Sequence, residues 1–340
     1  MGRMTLRDVA EHVGVSAATV SLAMRGNERI SAATRERVLA AITELGYVYQ
    51  RSAASLRTSM TQTVGVILNN VSDPFFSSLL TSLADALAAS GQTAFLCHTN
   101  EVISRQTDFV RKMAEYSADG LIVCPAVGTT TAHFRLGQDG IPPTVFVSRA
   151  VFELGFDYVI NDDREAARMA TNRLLRQGHR RIALVGGDTR VSCFVERFSG
   201  YRESLDCASV GFDPALVRSS DPTRKAGFDA ARWIASLSPR PTAAICYNDS
   251  LALGLMAGLQ RDGLYPGRNF ALIGSEDVEE TGMTNPSLSV TAVDRDEMGR
   301  RAAAALIERI DHPEAPQQRI VLRPELIIRE TCGFRIPSGS

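Results

Sequence analysis

Two sets of residues in this chain have the types and spacing to do chemistry, and both suit recognition rather than bond making. The first follows the short apolar runs of the chain's body. After TVGVIL (63–68) comes NNVSDPFF, with Asp73, Pro74, Phe75 and Phe76, and after TVFVS (144–148) comes Arg149. After LVGG a loop carries Arg190 and leads to Arg197; after AAICY come Asn248 and Asp249; GSED carries Glu276 and Asp277. A flat apolar ring, guanidinium groups, an amide and carboxylates are what a sugar pocket needs, a face to stack on and paired partners for hydroxyls. Each also has a structural reading. Asp73 reads as a helix N-cap with Pro74 in the first turn, and one of the two phenylalanines reads as core. Arg149 and Glu276 have the alternative of pairing with each other across a cleft, Asp249 that of capping its helix, and Trp233 reads as packing.

The second set stands near the start, in VSAATVSLAMRG (15–26), followed by RISAATRERV (29–38), so that SAAT occurs twice. Ser16 and Ser31 can each accept from the free amides of a first helical turn, and Ala-Ala is a good helix start, so the repeat has one structural cause. The copies differ in what faces outward. On the helix after Ser16, Val20 and Met24 point inward, while Ala17, Ala18, Ser21 and Leu22 share the other face. Ala10, Gly14 and Val20 fall where a helix-turn-helix needs a small residue at the crossing, a glycine in the turn and a β-branched plug in the core. The second helix would then enter the major groove of double-stranded DNA. Ser16 and Thr19 would reach phosphate, and Ala17, Ala18 and Leu22 would touch thymine methyls, since that face offers no Arg, Asn or Gln for bidentate base reading.

The elements that must position these residues are legible from periodicity. Leu6, Val9, Ala10 and Val13 form one apolar helical face, opened by Thr5 and Asp8 at capping-box spacing and closed by Gly14. Val38, Ile42 and Leu45 form the buried face of a third helix that stops at Gly46. Beyond residue 62, strands at 63–68, 93–98, 120–124, 144–148, 181–187, 243–248 and 271–276 alternate with helices near 74–89, 104–116, 163–177, 196–206, 223–237 and 249–262; SLSVTAVDRDEMGRRAAAALIERI adds a strand and a helix, and RIVLRPELIIRE resembles closing strands. Alternation at this spacing predicts parallel, doubly wound sheets, and two sets of it predict two lobes with ligand at the C-terminal strand ends.

Bulk properties agree. The 340 residues carry a formal net charge of −1, yet residues 1–60 hold eight arginines against five acidic residues. A basic module on an acidic body is the layout expected when one end meets phosphate. No apolar run is long enough for a membrane span, and Asp8, Glu11 and His12 interrupt any signal peptide, so a cytoplasmic protein without membrane contact is expected. The six scattered cysteines form no CxxC pair and predict no metal site. There is no Walker A loop, no GxGxxG between strand and helix, no Ser-His-Asp elbow and no HExxH. This weighs against the alternative of a sugar-modifying or small-molecule-binding enzyme on a Rossmann-like fold, and no cofactor is expected. The missing signal peptide and the helix-turn-helix weigh against a secreted sugar-binding protein.

TLRDVAEHVGVSAATVSLAMRG (5–26), the TRERV helix, LGY and the ASLRT segment together resemble the LacI/GalR, or lactose-repressor-like, family of bacterial transcriptional regulators. The resemblance covers nearly the whole chain. It implies a helix-turn-helix DNA-binding headpiece (1–48), a hinge helix and linker (49–62), and a two-lobed effector-binding and dimerisation core of type I periplasmic-binding-protein fold (63–340), with the chain crossing between lobes several times. It implies a homodimeric repressor of carbohydrate-utilisation genes on a palindromic operator, with a sugar-like small-molecule effector between the lobes. Paired hinge helices (51–57) would wedge Leu56 into a minor-groove base step. The candidate DNA contacts are Thr5, Ser16, Ala17, Ala18, Thr19, Ser21, Leu22, Arg25, Asn27, Tyr47, Leu56 and Arg57; the candidate effector contacts are Asp73, Phe75, Arg149, Arg197, Asn248 and Glu276. Three departures from the family pattern stand out: Tyr49 replaces its usual Pro, Leu22 a frequent polar or basic residue, and Glu276 its usual Asp.

Overall fold

The computed structural model describes residues 4–24, 26–47, 60–134 and 140–333. The chain divides into two compact units, Met1–Thr61 and Gln62–Ser340.

Among the described residues the first unit shows three helices, α1 (Leu6–Val13), α2 (Ala17–Met24) and α3 (Ala32–Glu44). Val9, Ala10, Val13, Val20, Ala23, Val38 and Ala41 make their shared core, with Leu6, Met24, Ile42, Leu45 and Tyr47 packed around it. Thr5 and Asp8 form the capping box of α1. Gly14 ends that helix with φ of 73°, a left-handed conformation that glycine adopts without a Cβ clash. Arg37 donates to the carbonyl of Val13 (2.7 Å) and Arg35 to that of Asn27 (3.0 Å), so both guanidiniums brace loops inside the unit.

The second unit has two six-stranded sheets. The first lobe uses β1 (Thr63–Leu68), β2 (Thr93–His98), β3 (Gly120–Val123), β4 (Thr144–Val147), β5 (Asp157–Asn161) and β11 (Arg319–Leu322), in the order β11-β5-β4-β3-β1-β2, all parallel. The second uses β6 (Ile182–Val185), β7 (Val217–Arg218), β8 (Ala243–Cys246), β9 (Ala271–Glu276), β10 (Ser289–Ala292) and β12 (Glu325–Ile327), in the order β12-β10-β9-β8-β6-β7, with only β12 antiparallel. Strands β1, β3, β4, β6, β8 and β9 are buried almost end to end, as continuous apolar runs covered on both faces must be. The helices that matter for the site are α4 (Pro74–Ala89), α5 (Ile103–Glu115), α6 (Asp163–Arg176), α7 (Ser192–Cys207), α8 (Arg224–Ser236), α9 (Asp249–Arg261), α10 (Glu279–Met283) and α11 (Arg295–Asp311).

The chain passes between lobes three times, after β5, after β10 and between β11 and β12, so each lobe is completed by distant segments. Helix α11, for instance, packs its Met298, Ala302 and Leu306 into the first lobe's core beside Leu79 and Leu83 of α4. Trp233 packs against the core of the second lobe, as expected. Two strands escaped the sequence reading: β5, whose alternating burial looks like a loop in a polar context, and the two-residue β7. The helix expected at 196–206 begins earlier, at Ser192, which puts Arg197 on the helix and not at the end of a loop.

Candidate functional site

In the first unit the SAAT repeat folds as two copies of one local structure. Ser16 Oγ accepts from the Thr19 N–H (3.1 Å) and lies 2.9 Å from the Thr19 hydroxyl; Ser31 Oγ accepts from the Thr34 N–H (3.3 Å) and lies 2.9 Å from the Thr34 hydroxyl. Ser16, Ala17 and Ala18 are exposed, and Thr19 and Leu22 partly so. Ser21 is not on that face. It is 4% exposed, contrary to its assignment as a DNA contact. The buried residues of α2 are Val20, Ser21 and Ala23, which lie against the core that α1 and α3 share with it. Thr5 spends its hydroxyl on Asp8 (2.8 Å), Asn27 accepts from the Arg29 N–H (3.0 Å), and Tyr47 is half-buried against the three-helix core. Arg25, Leu56, Arg57, Tyr49 and the hinge at 51–57 lie outside the described residues.

In the second unit, one cavity of about 320 Å³ is lined by all six candidate effector residues, Asp73, Phe75, Arg149, Arg197, Asn248 and Glu276. It opens where C-terminal strand ends of both sheets meet, the usual crevice of open α/β sheets. Asp73 caps α4 by accepting from the Phe75 N–H (3.0 Å), with Pro74 in the first turn. Its other oxygen reaches across to the second lobe, accepting from Asn248 Nδ2 (3.2 Å) and Ser250 Oγ (3.1 Å). Asn248 in turn caps α9 by accepting from the Leu251 N–H (3.0 Å). Gly227 lets that helix lie directly on α8, for a Cβ there would sit 2.0 Å from the Leu251 carbonyl oxygen. Phe75 is buried in the core and meets Phe76 edge-on at 5.1 Å, leaving Phe76 as the more accessible ring of the cavity.

The charged groups are arranged differently from the simplest sequence reading. Arg149 does not pair with Glu276. It donates to Glu101 (2.9 and 3.2 Å) and to the Pro125 carbonyl (3.3 Å). Arg197 donates to Asp163 (2.8 Å) and to the Tyr247 carbonyl, and stacks 5.1 Å from the Tyr247 ring. Asp249 does not cap its helix; fully buried, it accepts from the Val278 N–H (3.0 Å) and so ties α9 to the segment after β9. Arg190 pairs with its neighbour Asp188 (2.6 Å) and stands outside the main cavity.

Burial pushes the Asp73 and Asp163 carboxyls above the usual range, the second despite Arg197 beside it. It raises Asp249 to about 8, and Glu276 well above the ordinary carboxylate value, with the charges of Asp73 and Asp249 adding to the shift. One Glu276 oxygen, Oε2, is buried and has no hydrogen-bond partner. Backbone strain collects here too. Asn100, Glu101, Ser148 and Glu276, with φ of 49°, 60°, 65° and 108°, all line the cavity. Left-handed conformations of non-glycine residues are held only where their surroundings over-determine them, and they gather at binding sites.

Sequence reasoning missed Glu101, Asp163, Asp221 and Tyr247, which also line the cavity. Glu101 was available, since the strand-end rule applied to TAFLCH leads directly to it. Asp163 and Asp221 were hidden because the strands that deliver them, β5 and β7, carry no clear apolar pattern. Among the described residues no helix is long and apolar enough to cross a membrane, and no group of three or more His, Cys, Asp or Glu side chains is placed to hold a metal ion.

Two family models match segments of the chain. Residues 5–50 match the family described as bacterial regulatory proteins, lacI family, and residues 171–332 the periplasmic binding protein-like domain. The HTH-type transcriptional repressor PurR of Vibrio atlanticus is 30% identical over 327 residues, covering 96% of this chain and 98% of that protein. Among solved structures, a complex of the transcriptional regulator CelR with cellobiose is 29% identical, with a TM-score of 0.71 over 97% of this chain and 100% of that one. The lac repressor dimer bound to operator and the anti-inducer ONPF shares the fold, with a TM-score of 0.86 at 24% identity over 97% of this chain and 99% of that one.

Proposed function

The chain belongs to the LacI family of bacterial transcriptional repressors, and from that premise we propose that it controls carbohydrate-utilisation genes as a homodimer on a near-palindromic operator, released or tightened by a carbohydrate bound between the lobes. The observation that carries this reading is the cavity itself. It gathers a phenylalanine pair, two guanidiniums, an amide and carboxylates from both lobes around a space of about 320 Å³. The known CelR complex with cellobiose supports the same ligand class.

The mechanism follows from the bonds that span the lobes. Asp73 of the first lobe holds Asn248 and Ser250 of the second. A ligand inserted among these groups replaces or reinforces them, and so biases lobe closure by its differential affinity for the two forms. DNA affinity changes by the same factor as effector affinity, because the coupling is reciprocal. The linker at 49–62 carries the bias to the headpiece, whose Ser16, Ala17, Ala18, Thr19 and Leu22 would face the major groove, Thr5, Asn27 and Tyr47 lying beside them. Exposed apolar residues on the edge strand β2, Phe95 (50%) and Leu96 (44%), support a homodimer, since a bare apolar edge is otherwise an aggregation hazard.

The test is fluorescence anisotropy of the protein on DNA from upstream of its own gene, at fixed salt, titrated with mono- and disaccharides, polyols and sugar acids. A compound that releases the DNA makes the protein an induced repressor; one that tightens the complex makes it corepressor-dependent. DNA affinity indifferent to the whole panel refutes a carbohydrate effector.

A further inference from the structure

The ionic balance of the cavity is uneven. Among the described residues its lining holds five carboxylates, Asp73, Glu101, Asp163, Asp221 and Glu276, against the guanidiniums of Arg149 and Arg197, with no lysine or histidine. Both guanidiniums already have a carboxylate within hydrogen-bond distance, Arg149 on Glu101 and Arg197 on Asp163, and each also donates to a backbone carbonyl. Arg295 lies outside the lining and donates to the carbonyls of Glu276 (2.7 Å) and Asp277 (3.1 Å). The carboxylates left over are different. Asp73 has only the neutral donors Phe75 N–H, Asn248 and Ser250, and Glu276 Oε2, buried at the cavity, has no partner. Among the described residues the lining thus carries more carboxylates than guanidiniums, a buried acceptor that lacks its bond, and two guanidiniums that are each already engaged by a carboxylate.

Resting on the effector site proposed above, we infer that the ligand carries no anionic group: the cavity takes a polyhydroxylated molecule that is neutral or amine-bearing, and rejects sugar phosphates and sugar acids. A hydroxyl donates to Glu276 and Asp73 and satisfies a buried oxygen that otherwise lacks its bond. An ammonium does the same with a charge-assisted bond, and draws Glu276 into its ionised form. A phosphate or carboxylate meets the opposite situation. It would be stripped of water beside carboxylates that outnumber the guanidiniums of the lining, and each of those two arginines could serve it only by giving up an existing partner. The raised carboxyl titrations agree with this balance, because burial and mutual repulsion already keep part of the acidic set protonated before any ligand enters.

The test is isothermal titration calorimetry of the full-length protein against matched sets built on the same ring: glucose, galactose and mannose, each as the neutral sugar, the 2-amino sugar, the 6-phosphate and the uronic acid. The expected result is that a neutral or amino form binds, with the phosphate and acid of the same ring at least about tenfold weaker. Glu276→Gln, which keeps the shape, narrows the gap between amino and acid forms by about tenfold. Asp221→Asn provides a second reading should the first variant unfold. A phosphate or uronic acid binding as tightly as its neutral parent, or a gap that neither variant narrows, overturns the inference and leaves the effector site standing. Failure of every sugar in the panel to bind overturns the carbohydrate site and the inference together.

Discussion

Replacing Ser16 and Ser31 by alanine, one at a time, separates helix capping from DNA contact, because the two serines are structurally matched. Each accepts from the N–H of the threonine three residues on, at 3.1 and 3.3 Å, each lies 2.9 Å from that threonine's hydroxyl, and both are exposed. Loss of an exposed serine N-cap costs about 1 kcal/mol, which for so small a unit lowers Tm by roughly 4–8 °C. The two variants should therefore lose the same stability. They should not lose the same affinity. Only Ser16 stands at the start of the helix proposed to enter the major groove, where its hydroxyl and the adjoining amides meet phosphate. A phosphate contact of about 1 kcal/mol amounts to about fivefold per half-site, and about 25-fold for two half-sites of a dimer. Ser31→Ala, with its headpiece still mostly folded, should weaken binding by less than about twofold. The assay is anisotropy on a labelled operator duplex at fixed salt, with thermal unfolding of each variant alongside. Neither variant should change the slope of log affinity against log salt, because a serine hydroxyl neutralises no phosphate charge and releases no counter-ion. Equal loss of affinity in both variants refutes the assignment of α2 as the reading helix.

Further outcomes follow from particular contacts. Leu22→Arg should shift the selected operator toward G at one position of each half-site, read by binding-site selection, while Ser21→Arg should unfold the headpiece, because Ser21 is buried; an unchanged motif for Leu22→Arg counts against the first, and native thermal unfolding of Ser21→Arg against the second. Glu101→Ala strands the 7%-exposed Arg149, and since Glu101 itself is partly exposed the expected cost is about 2–3 kcal/mol, less than for a fully buried pair, measured by urea denaturation; a change under about 0.5 kcal/mol would mean that water replaces the carboxylate. Asp249, raised in the fold to about 8 from 3.8, binds more protons folded than unfolded, so its contribution to stability is full below pH 4 and lost as pH climbs to 8. Urea midpoints across pH 5–8.5 should consequently fall less steeply for Asp249→Asn than for the parent, and identical slopes would falsify this assignment. Leu56→Ala, at a position outside the described residues, should weaken specific DNA binding far more than effector binding, and equal loss of both would point to general destabilisation.

What the sequence determined by itself was local. The capping box at Thr5 and Asp8, the serine caps of the SAAT repeat, Gly14 in its left-handed turn and Asp73 ahead of Pro74 depend on residues a few positions apart, and each stands in the structure as the pattern implied. The alternation of apolar strands and helices was enough for two doubly wound lobes, and the strand-end rule brought six residues to one cavity, because polar side chains just beyond a buried strand have nowhere to go but the crevice. Tertiary structure alone decided which charges meet. Arg149 turned to Glu101 rather than Glu276 because the segment after β2 reaches it, and Arg197 to Asp163 because α6, which begins at Asp163, packs against α7. Ser21 was buried because the arc covered on α2 is set by where α1 and α3 cross it, and no property of serine dictates that. Likewise, the bonds from Asp73 to Asn248 and Ser250 join residues some 175 positions apart, and they exist only because the chain crosses between its lobes and returns. Short-range chemistry is written in neighbouring letters; the pairing of charges across a cleft is a property of the closed fold.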